Sequence, residues 1–313
     1  MNQSRKPDEI VVVDDSSTDS TPAILQEYAD HIRVVRTPKN LGNKSHAQEY
    51  GLSFITGDVF ISTDADTLLH PDFVRRIEED FADPQVQAVA GYVRSLQYNW
   101  ITRHRAFEYT VFQNFHKLAQ SQLRFMYVIP GAAGAFRTET FRRIISFDHD
   151  TITEDLDFTY KLHKSDSTIL YDLAAIVYTQ DPSNLHCYVN QLRRWLGGGW
   201  QNLRKHRNIA LRPVQALELS LMYIEGMVFS ALLFLVPFLN VRMALQLGLV
   251  YLLIIFFLST YAAVKERRPD LLLVSIPYLF LTYVNAYVFM EQFFREIILK
   301  RSRLVWISPK RTA

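Results

Sequence analysis

The chain has 313 residues, 49% hydrophobic and 21% charged, with a formal net charge of +2. These averages hide two unlike parts: residues 1–212 are polar and charge-rich, whereas 213–294 hold long apolar runs, which excludes a purely soluble protein. A single cysteine, Cys187, excludes an internal disulfide framework and a four-cysteine zinc site, and the near-neutral charge balance argues against nucleic acid as a partner.

The polar opening, residues 1–8, does not read as a signal peptide. Residues 9–13 form a β-branched run expected as a strand buried on both faces, ending at Asp14-Asp15. Residues 15–19 make a turn, and Ser20 or Thr21 with Pro22 opens a helix to about Ala29. Further along, 32–35, 59–63 and 86–93 read as strands, and 44–54 and 71–81 as helices. Strands alternating with helices predict an α/β domain with a mainly parallel sheet, whose ligands sit beyond the carboxyl ends of strands. Asp14-Asp15 and Asp64-Ala65-Asp66 both fall at that edge.

Two longer helices follow. Residues 101–122 place Phe107, Val111, Phe115 and Leu118 at helical spacing, which suits a structural role. Residues 183–207 carry Leu185, Tyr188, Leu192, Trp195, Leu196 and Leu203 on one side and Arg193, Arg194, Arg204, Lys205 and Arg207 elsewhere. A basic, aromatic helix just ahead of an apolar run suits the membrane interface, and packing against the soluble part is compatible with it.

Residues 220–239, 243–264 and 271–290 are long and apolar enough to cross a hydrocarbon layer of ~30 Å. Glu225 in the first run is expensive in lipid, so it faces protein or a wet cavity, or this helix lies partly outside the bilayer. Arg204, Lys205, Arg207 and Arg212 before the first run, and Lys265, Arg267 and Arg268 after the second, place both sites in the cytoplasm. Three crossings then put the C-terminus outside, yet Arg295, Lys300, Arg301, Arg303, Lys310 and Arg311 make the tail basic, which the same rule assigns to the inside. Either the third run, with Pro277, is re-entrant or irregular, or the tail is an exception.

Four motifs carry chemistry. Asp64 and Asp66 end an apolar strand, where hard oxygen ligands can hold Mg2+ or Mn2+ against a diphosphate; alone, such a pair is as readily a turn. Asp14-Asp15 is a second acidic pair at the same edge. Thr153-Glu154-Asp155 precedes a helix over 156–164 and reads either as an ordinary acidic helix start or as the seat of a general base. Gln191, Arg194 and Trp195 fall within one helical turn, an amide and a guanidinium for phosphate oxygens and an indole for a sugar face, although a lone Trp is more often packing.

In this order, followed by apolar helices, the four motifs resemble the processive inverting glycosyltransferases of the cellulose, chitin, hyaluronan and poly-N-acetylglucosamine synthase group. Gly131-Ala-Ala-Gly-Ala-Phe-Arg137 and Gly197 to Gly199 are most similar to bacterial poly-N-acetylglucosamine synthases. The resemblance implies a GT-A-type fold, and a metal-dependent enzyme of the inner (plasma) membrane with its catalytic domain in the cytoplasm. A UDP-sugar, UDP-N-acetylglucosamine favoured, would be the donor, and a growing β-linked polysaccharide or oligosaccharide the acceptor. The bilayer and further synthase or export subunits would be partners. Asp14, Asp15, Lys44, Asp64, Asp66, Gln191 and Arg194 would bind the nucleotide-sugar, Asp64 and Asp66 the metal. Asp155 would be the catalytic base, and Gly131, Phe136, Arg137 and Trp195 would meet the acceptor. Single-sugar transfer to a lipid carrier and a non-catalytic remnant are the alternatives.

The expected organisation is a catalytic domain over 1–182, an interface helix over 183–212, a membrane domain over 213–294 and a basic tail over 295–313. The family's usual Gly after the acidic pair is Ser16 here, and its usual Lys-Ala-x-Ala-Leu-Asn reads Lys44-Ser-His-Ala-Gln-Glu49. No family-type strand and Pro-x-x-Asn-Glu turn precede residue 9, so the chain is expected to be a fragment lacking the first strand of that fold.

Overall fold

The computed structural model describes residues 2–96, 99–144 and 150–302; the tail positions Arg303, Lys310 and Arg311 lie outside them. The soluble half runs β1 (Val11–Asp14), α1 (Thr21–Glu27), β2 (Arg33–Arg36), α2 (Lys44–Leu52), β3 (Val59–Ser62), β4 (Thr67–Leu69), α3 (Phe73–Asp80) and β5 (Val86–Leu96). Helix α4 (Trp100–Val111) continues through a π-helical stretch, Phe112–Lys117, into α5 (Leu118–Gln122). Then come β6 (Gly134–Arg137), α6 (Thr138–Ile144), α7 (Glu154–Lys164), β7 (Thr168–Gln180) and α8 (Leu185–Lys205).

The sheet is mixed, which corrects the expectation of mainly parallel pairing. β1 and β2 pair in parallel as one ribbon, and the larger sheet has the order β3-β6-β5-β7-β4. Only β5–β7 is parallel there; β3–β6, β5–β6 and β4–β7 are antiparallel. The antiparallel strands β4 and β6 are short and carry a weak period-2 pattern, so the helix–strand alternation of the first 93 residues does not foretell them. β1 is only half-buried apart from Asp14, since among the described residues β2 alone pairs with it. The Glu9 carboxylate ties this ribbon to the larger sheet by accepting from the Thr56 and Gly57 amides, 2.5 and 3.0 Å.

Alternate residues of β5 feed two apolar layers. Ala88, Ala90 and Tyr92 join Met126, Ile129, Phe136, Phe141, Phe158 and Leu162, while Val89 and Val93 join Phe73 and Ile77 of α3 and Phe81 just after it. This is the sandwich that period-2 alternation builds when both faces are covered.

The C-terminal part is helical: α9 (Pro213–Leu219), a π-helical turn (Ser220–Ile224), α10 (Glu225–Leu239), α11 (Val241–Lys265), a 3-10 turn (Pro269–Val274), α12 (Ser275–Phe293) and a π-helical end (Phe294–Ile298). The continuous spans Pro213–Leu239, Val241–Lys265 and Pro269–Ile298 are each long and apolar enough to cross a membrane. The third is one helical path, irregular at both ends, with a 3-10 start and a π-helical finish. Pro277 sits at the third residue of α12, in the first turn, where a missing amide hydrogen breaks no i to i−4 bond. Glu225 is exposed two residues beyond Tyr223, whose hydroxyl meets that of Tyr127. The start of this helix therefore lies against the soluble half, and Glu225 is not buried in protein.

Candidate active site

The antiparallel register of β3 and β6 pairs Ser62 with Gly134 and Val59 with Arg137. It brings the segment just before β6, containing Gly131, beside the segment just after β3, containing Asp64, and sends Arg137 to the opposite edge. There Arg137 donates to the carbonyls of Val86, Phe81 and Asp83. Phe136 packs against Phe60, Phe141 and Phe158 in the core. Both corrections follow from strand alternation and direction: the motif from 131 to 137 reads as one loop, but its second half is a strand leading away from the site.

Lys44 opens α2, whose N-terminus is capped by the Asn43 side chain accepting from the His46 amide. Its ammonium pairs with Asp64 and lies 3.5 Å from Glu154. Burial opposes that charge, but Glu154, Asp64 and Asp155 outweigh it and raise the Lys44 pKa above its ordinary value. A Cβ on Gly131 would stand 2.8 Å from Lys44 Nζ and 3.7 Å from Asp155 Oδ2, so the lack of a side chain there lets the two meet.

Asp155 starts α7. Its Oδ2 accepts from the Gly131 amide at 3.3 Å and its Oδ1 from the Leu156 amide at 2.9 Å. Burial, and then the Glu154 carboxylate, push its carboxyl up to about 6 against the pull of Lys44 and Arg194. Two residues on, Asp157 goes the other way. Although burial raises it, bonds from His206 (2.6 Å) and Lys205 (2.7 Å) hold it far below the usual carboxylate range. Asp157 anchors α7 to the end of α8 and so is held apart from the raised carboxyl of Asp155.

The acidic pair at the end of β1 holds a loop in this structure. Asp14 accepts from the Ser17 amide and from Arg36, and Asp15 accepts from the Leu41 amide and the Thr37 hydroxyl. Together they fold the 37–41 loop onto β1. Ser16 between them has φ +55, the left-handed region that favours glycine, and its hydroxyl donates to the Thr37 carbonyl at 2.7 Å.

Gln191 and Trp195 converge on a residue that sequence reasoning passed over. Arg105 of α4 is buried, donates to Gln191 Oε1 at 3.0 Å and to Glu108 at 2.7 Å, and lies over the rings of Tyr188 and Trp195 at 4.5 and 4.8 Å. Arg194, one position before Trp195, acts electrostatically on Asp155. Gln201 and Asn202 were likewise unread, and Gly198 was noted only as part of the resemblance. Asn202 donates to Thr153 Oγ1 at 3.0 Å, Gln201 accepts from the Ile152 amide at 3.0 Å, and a side chain on Gly198 would collide with Thr153. The three glycines after the Trp195 turn are thus close-approach positions, and α8 is the clamp on the Thr153–Asp155 segment.

The carboxylates here are hard oxygen donors, and Asp64 and Glu154 already share one cation in Lys44. Such a set, with Asp66 on the turn after Asp64, suits a divalent ion completed by diphosphate oxygens. Among the described residues no three His, Cys, Asp or Glu form a full metal site alone.

Comparison with known proteins identifies the domain. The model of glycosyl transferase family 2 matches residues 1–144. Residues 1–144 belong to that family. An N-acetylglucosaminyltransferase of Azorhizobium caulinodans is 28% identical over 205 residues, covering 61% of this chain and 51% of the relative. A poly-beta-1,6-N-acetyl-D-glucosamine synthase of Staphylococcus epidermidis is 28% identical over 199 residues, covering 62% and 48%. The chain spans about half the length of the curated relatives it matches. In three dimensions it is similar to a mannosyltransferase from Pyrobaculum calidifontis solved with GDP-Man and Mn2+, with a TM-score of 0.65 and 20% identity over 96% of this chain and 81% of that one. The fold of this family 2 domain is GT-A, a mixed sheet with flanking helices.

Proposed function

We propose that this family 2 chain transfers a sugar with inversion from a UDP-sugar, UDP-N-acetylglucosamine favoured, to a growing β-linked polysaccharide at a membrane. The observation that carries this reading is the meeting of Lys44, Asp64, Glu154 and Asp155 at Gly131, with the Asp155 carboxyl at about 6. The names of the relatives support the sugar and the polymer.

Asp155 takes the proton of the attacking acceptor hydroxyl; a carboxyl near 6 is ionised at neutral pH yet basic enough to accept it. Lys44 and Arg194 supply fixed positive charge beside a donor diphosphate. Asp64 and Asp66 would hold Mg2+ or Mn2+, whose chemistry is to offset charge on the leaving nucleotide. Gln191 and Trp195, by holding Arg105, shape the acceptor side. Attack opposite the leaving group turns an α-linked donor into a β-linked product.

The test is titration calorimetry with UDP and Mn2+ beside a radiolabelled transfer assay on the chain in native membranes. Asp66→Ala is expected to lose both affinity and transfer, and Asp155→Asn to lose transfer while keeping UDP affinity. Equal loss of affinity in both variants sinks the division of roles. A product of one sugar on a lipid sinks the polymer reading.

A further inference from the structure

An amide in an apolar helix is costly unless its hydrogen bonds are met. Asn285 stands in the middle of α12 among Tyr283, Val284, Ala286 and Tyr287, and it directs both ends of its amide away from its own helix. Its Oδ1 accepts from the Tyr188 hydroxyl of α8 at 2.8 Å, and its Nδ2 donates to Glu108 Oε1 of α4 at 3.3 Å. His104, one helical turn before Glu108, closes a ring: its Nε2 stands 3.1 Å from both Glu108 Oε1 and the Tyr188 hydroxyl. His104, Arg105 and Tyr188 are buried, so bulk water does not replace a bond lost here.

The chemistry of the groups fixes the direction of every bond in the ring. Burial opposes the ionisation of Glu108, but His104 and Arg105 hold its carboxyl at about 2, and a carboxylate only accepts. The Asn285 amide must therefore turn Nδ2 to Glu108 and Oδ1 to Tyr188. The Tyr188 proton then goes to Asn285, so the hydrogen of His104 lies on Nε2, which faces two acceptors, while Nδ1 has no partner among the described residues. The second carboxylate oxygen, Glu108 Oε2, accepts from Arg105 Nη1 at 2.7 Å, and Arg105 Nη2 continues to Gln191 Oε1 at 3.0 Å. A carboxylate held from α4 alone can turn with α4. The Asn285 bond refers Glu108, and with it the Arg105 guanidinium between Tyr188 and Trp195, to a different helix.

We propose that Asn285 is a positioning residue for transfer. Acting through Glu108, it sets the plane of the Arg105 guanidinium, and that plane holds Gln191 and Trp195 in place. This rests on Gln191 and Trp195 shaping the acceptor side of a sugar-transfer site, as proposed above. A shift of α12 against the catalytic half is then felt in the rate of transfer. Donor affinity is spared, because Lys44, Asp64 and Asp155 are held by other contacts.

The test uses the full chain in native membranes with Asn285→Leu, which removes the amide and suits an apolar helix. Its kcat is expected to fall about 10- to 100-fold, the scale of a small misplacement at a reacting centre, while UDP affinity in the presence of Mn2+ stays at the parent level. In an Arg105→Lys background the same change is expected to lower kcat no further, since the chain of bonds is already broken. Thr260→Leu removes a hydroxyl of α11 that bonds its own helix at 2.8 Å, and as the control it should leave the rate unchanged. Undiminished transfer by Asn285→Leu, or a full further drop in the Arg105→Lys background, overturns the proposal. Hydrogen exchange reads the same coupling without reference to transfer. Asn285→Leu should speed exchange in residues 104–108 and 188–195 and leave 154–164 as in the parent. Unchanged exchange at 188–195 overturns the proposal, and so does faster exchange at 154–164 as well, because the amide would then hold the whole fold. Absence of polymer transfer by the parent would sink the proposed function, and the exchange pattern would still decide the role of Asn285.

Discussion

Arg105 and Trp195 stack, the guanidinium 4.8 Å from the ring centroid, while the same guanidinium donates to Gln191 one helical turn earlier. Two residues of a motif that sequence reasoning assigns to ligands are therefore joined through a buried arginine of another helix. Glu108 shares the burden: burial opposes its ionisation, but His104 and Arg105 hold its carboxyl at about 2. Arg105→Lys is expected to lower transfer about as much as Gln191→Ala, because an ammonium cannot stack on the indole and meet the amide together. A double-mutant cycle of Arg105→Lys and Trp195→Phe, read by thermal unfolding, should show a coupling of about 0.5–3 kcal/mol. Additive effects would mean that the contact is incidental.

Asp155 sets the acidic limb of the pH profile. The working base is the ionised carboxylate, so activity is lost as pH falls through its pKa and is fully present above it. The kcat/KM limb should lie near 6. Lys44→Met removes a positive charge that pulls this carboxyl down, and the limb is expected to move to higher pH along with a loss of rate. A limb that stays in place in the variant would show that Lys44 does not act on Asp155.

Gly198→Ala is expected to cost about 1–3 kcal/mol, since the added methyl meets Thr153 and two packed helices must move apart. Transfer should fall further than stability, because Thr153 leads directly into Asp155. Gly248→Ala, with open space around its position, is the matched control and should leave both unchanged. Equal unfolding temperatures for the two variants would refute the clamp.

Lys117 ends the π-helical stretch after α4. It is 2% exposed, its ammonium has no hydrogen-bond partner among the described residues, and burial lowers its pKa to about 7. Between that value and the ordinary lysine pKa the unfolded chain binds the proton and the folded one does not, so stability rises with pH across that window. Lys117→Met should therefore unfold at a higher temperature than the parent near pH 6, and the gap should narrow as pH rises above 7. A constant gap would show that the lysine binds its proton as readily in the fold as in the unfolded chain.

Strands β1, β2, β3 and β5 and the helices between them were legible in the chain itself, as were the two long helices and the apolar runs, because each has a pattern tied to its own backbone geometry; the short β4 was not. Asp64 and Asp155 could be picked out as candidates because a carboxylate at the end of an apolar strand or the start of a helix stands out locally, and Lys44 came only through the family resemblance. Which of them meet was decided by strand pairing. Antiparallel β3 and β6 bring Gly131 beside Asp64 and carry Arg137 to the far edge, and nothing within residues 131–137 encodes that direction. Arg105 was illegible for a related reason: one arginine among aromatic residues on an amphipathic helix looks solvated until a second helix is laid over it. The same holds for Pro269–Ile298. Its length and apolarity are plain in the chain, but its partners on α4 and α8 depend on contacts between residues more than ninety positions apart, which only the folded chain brings together.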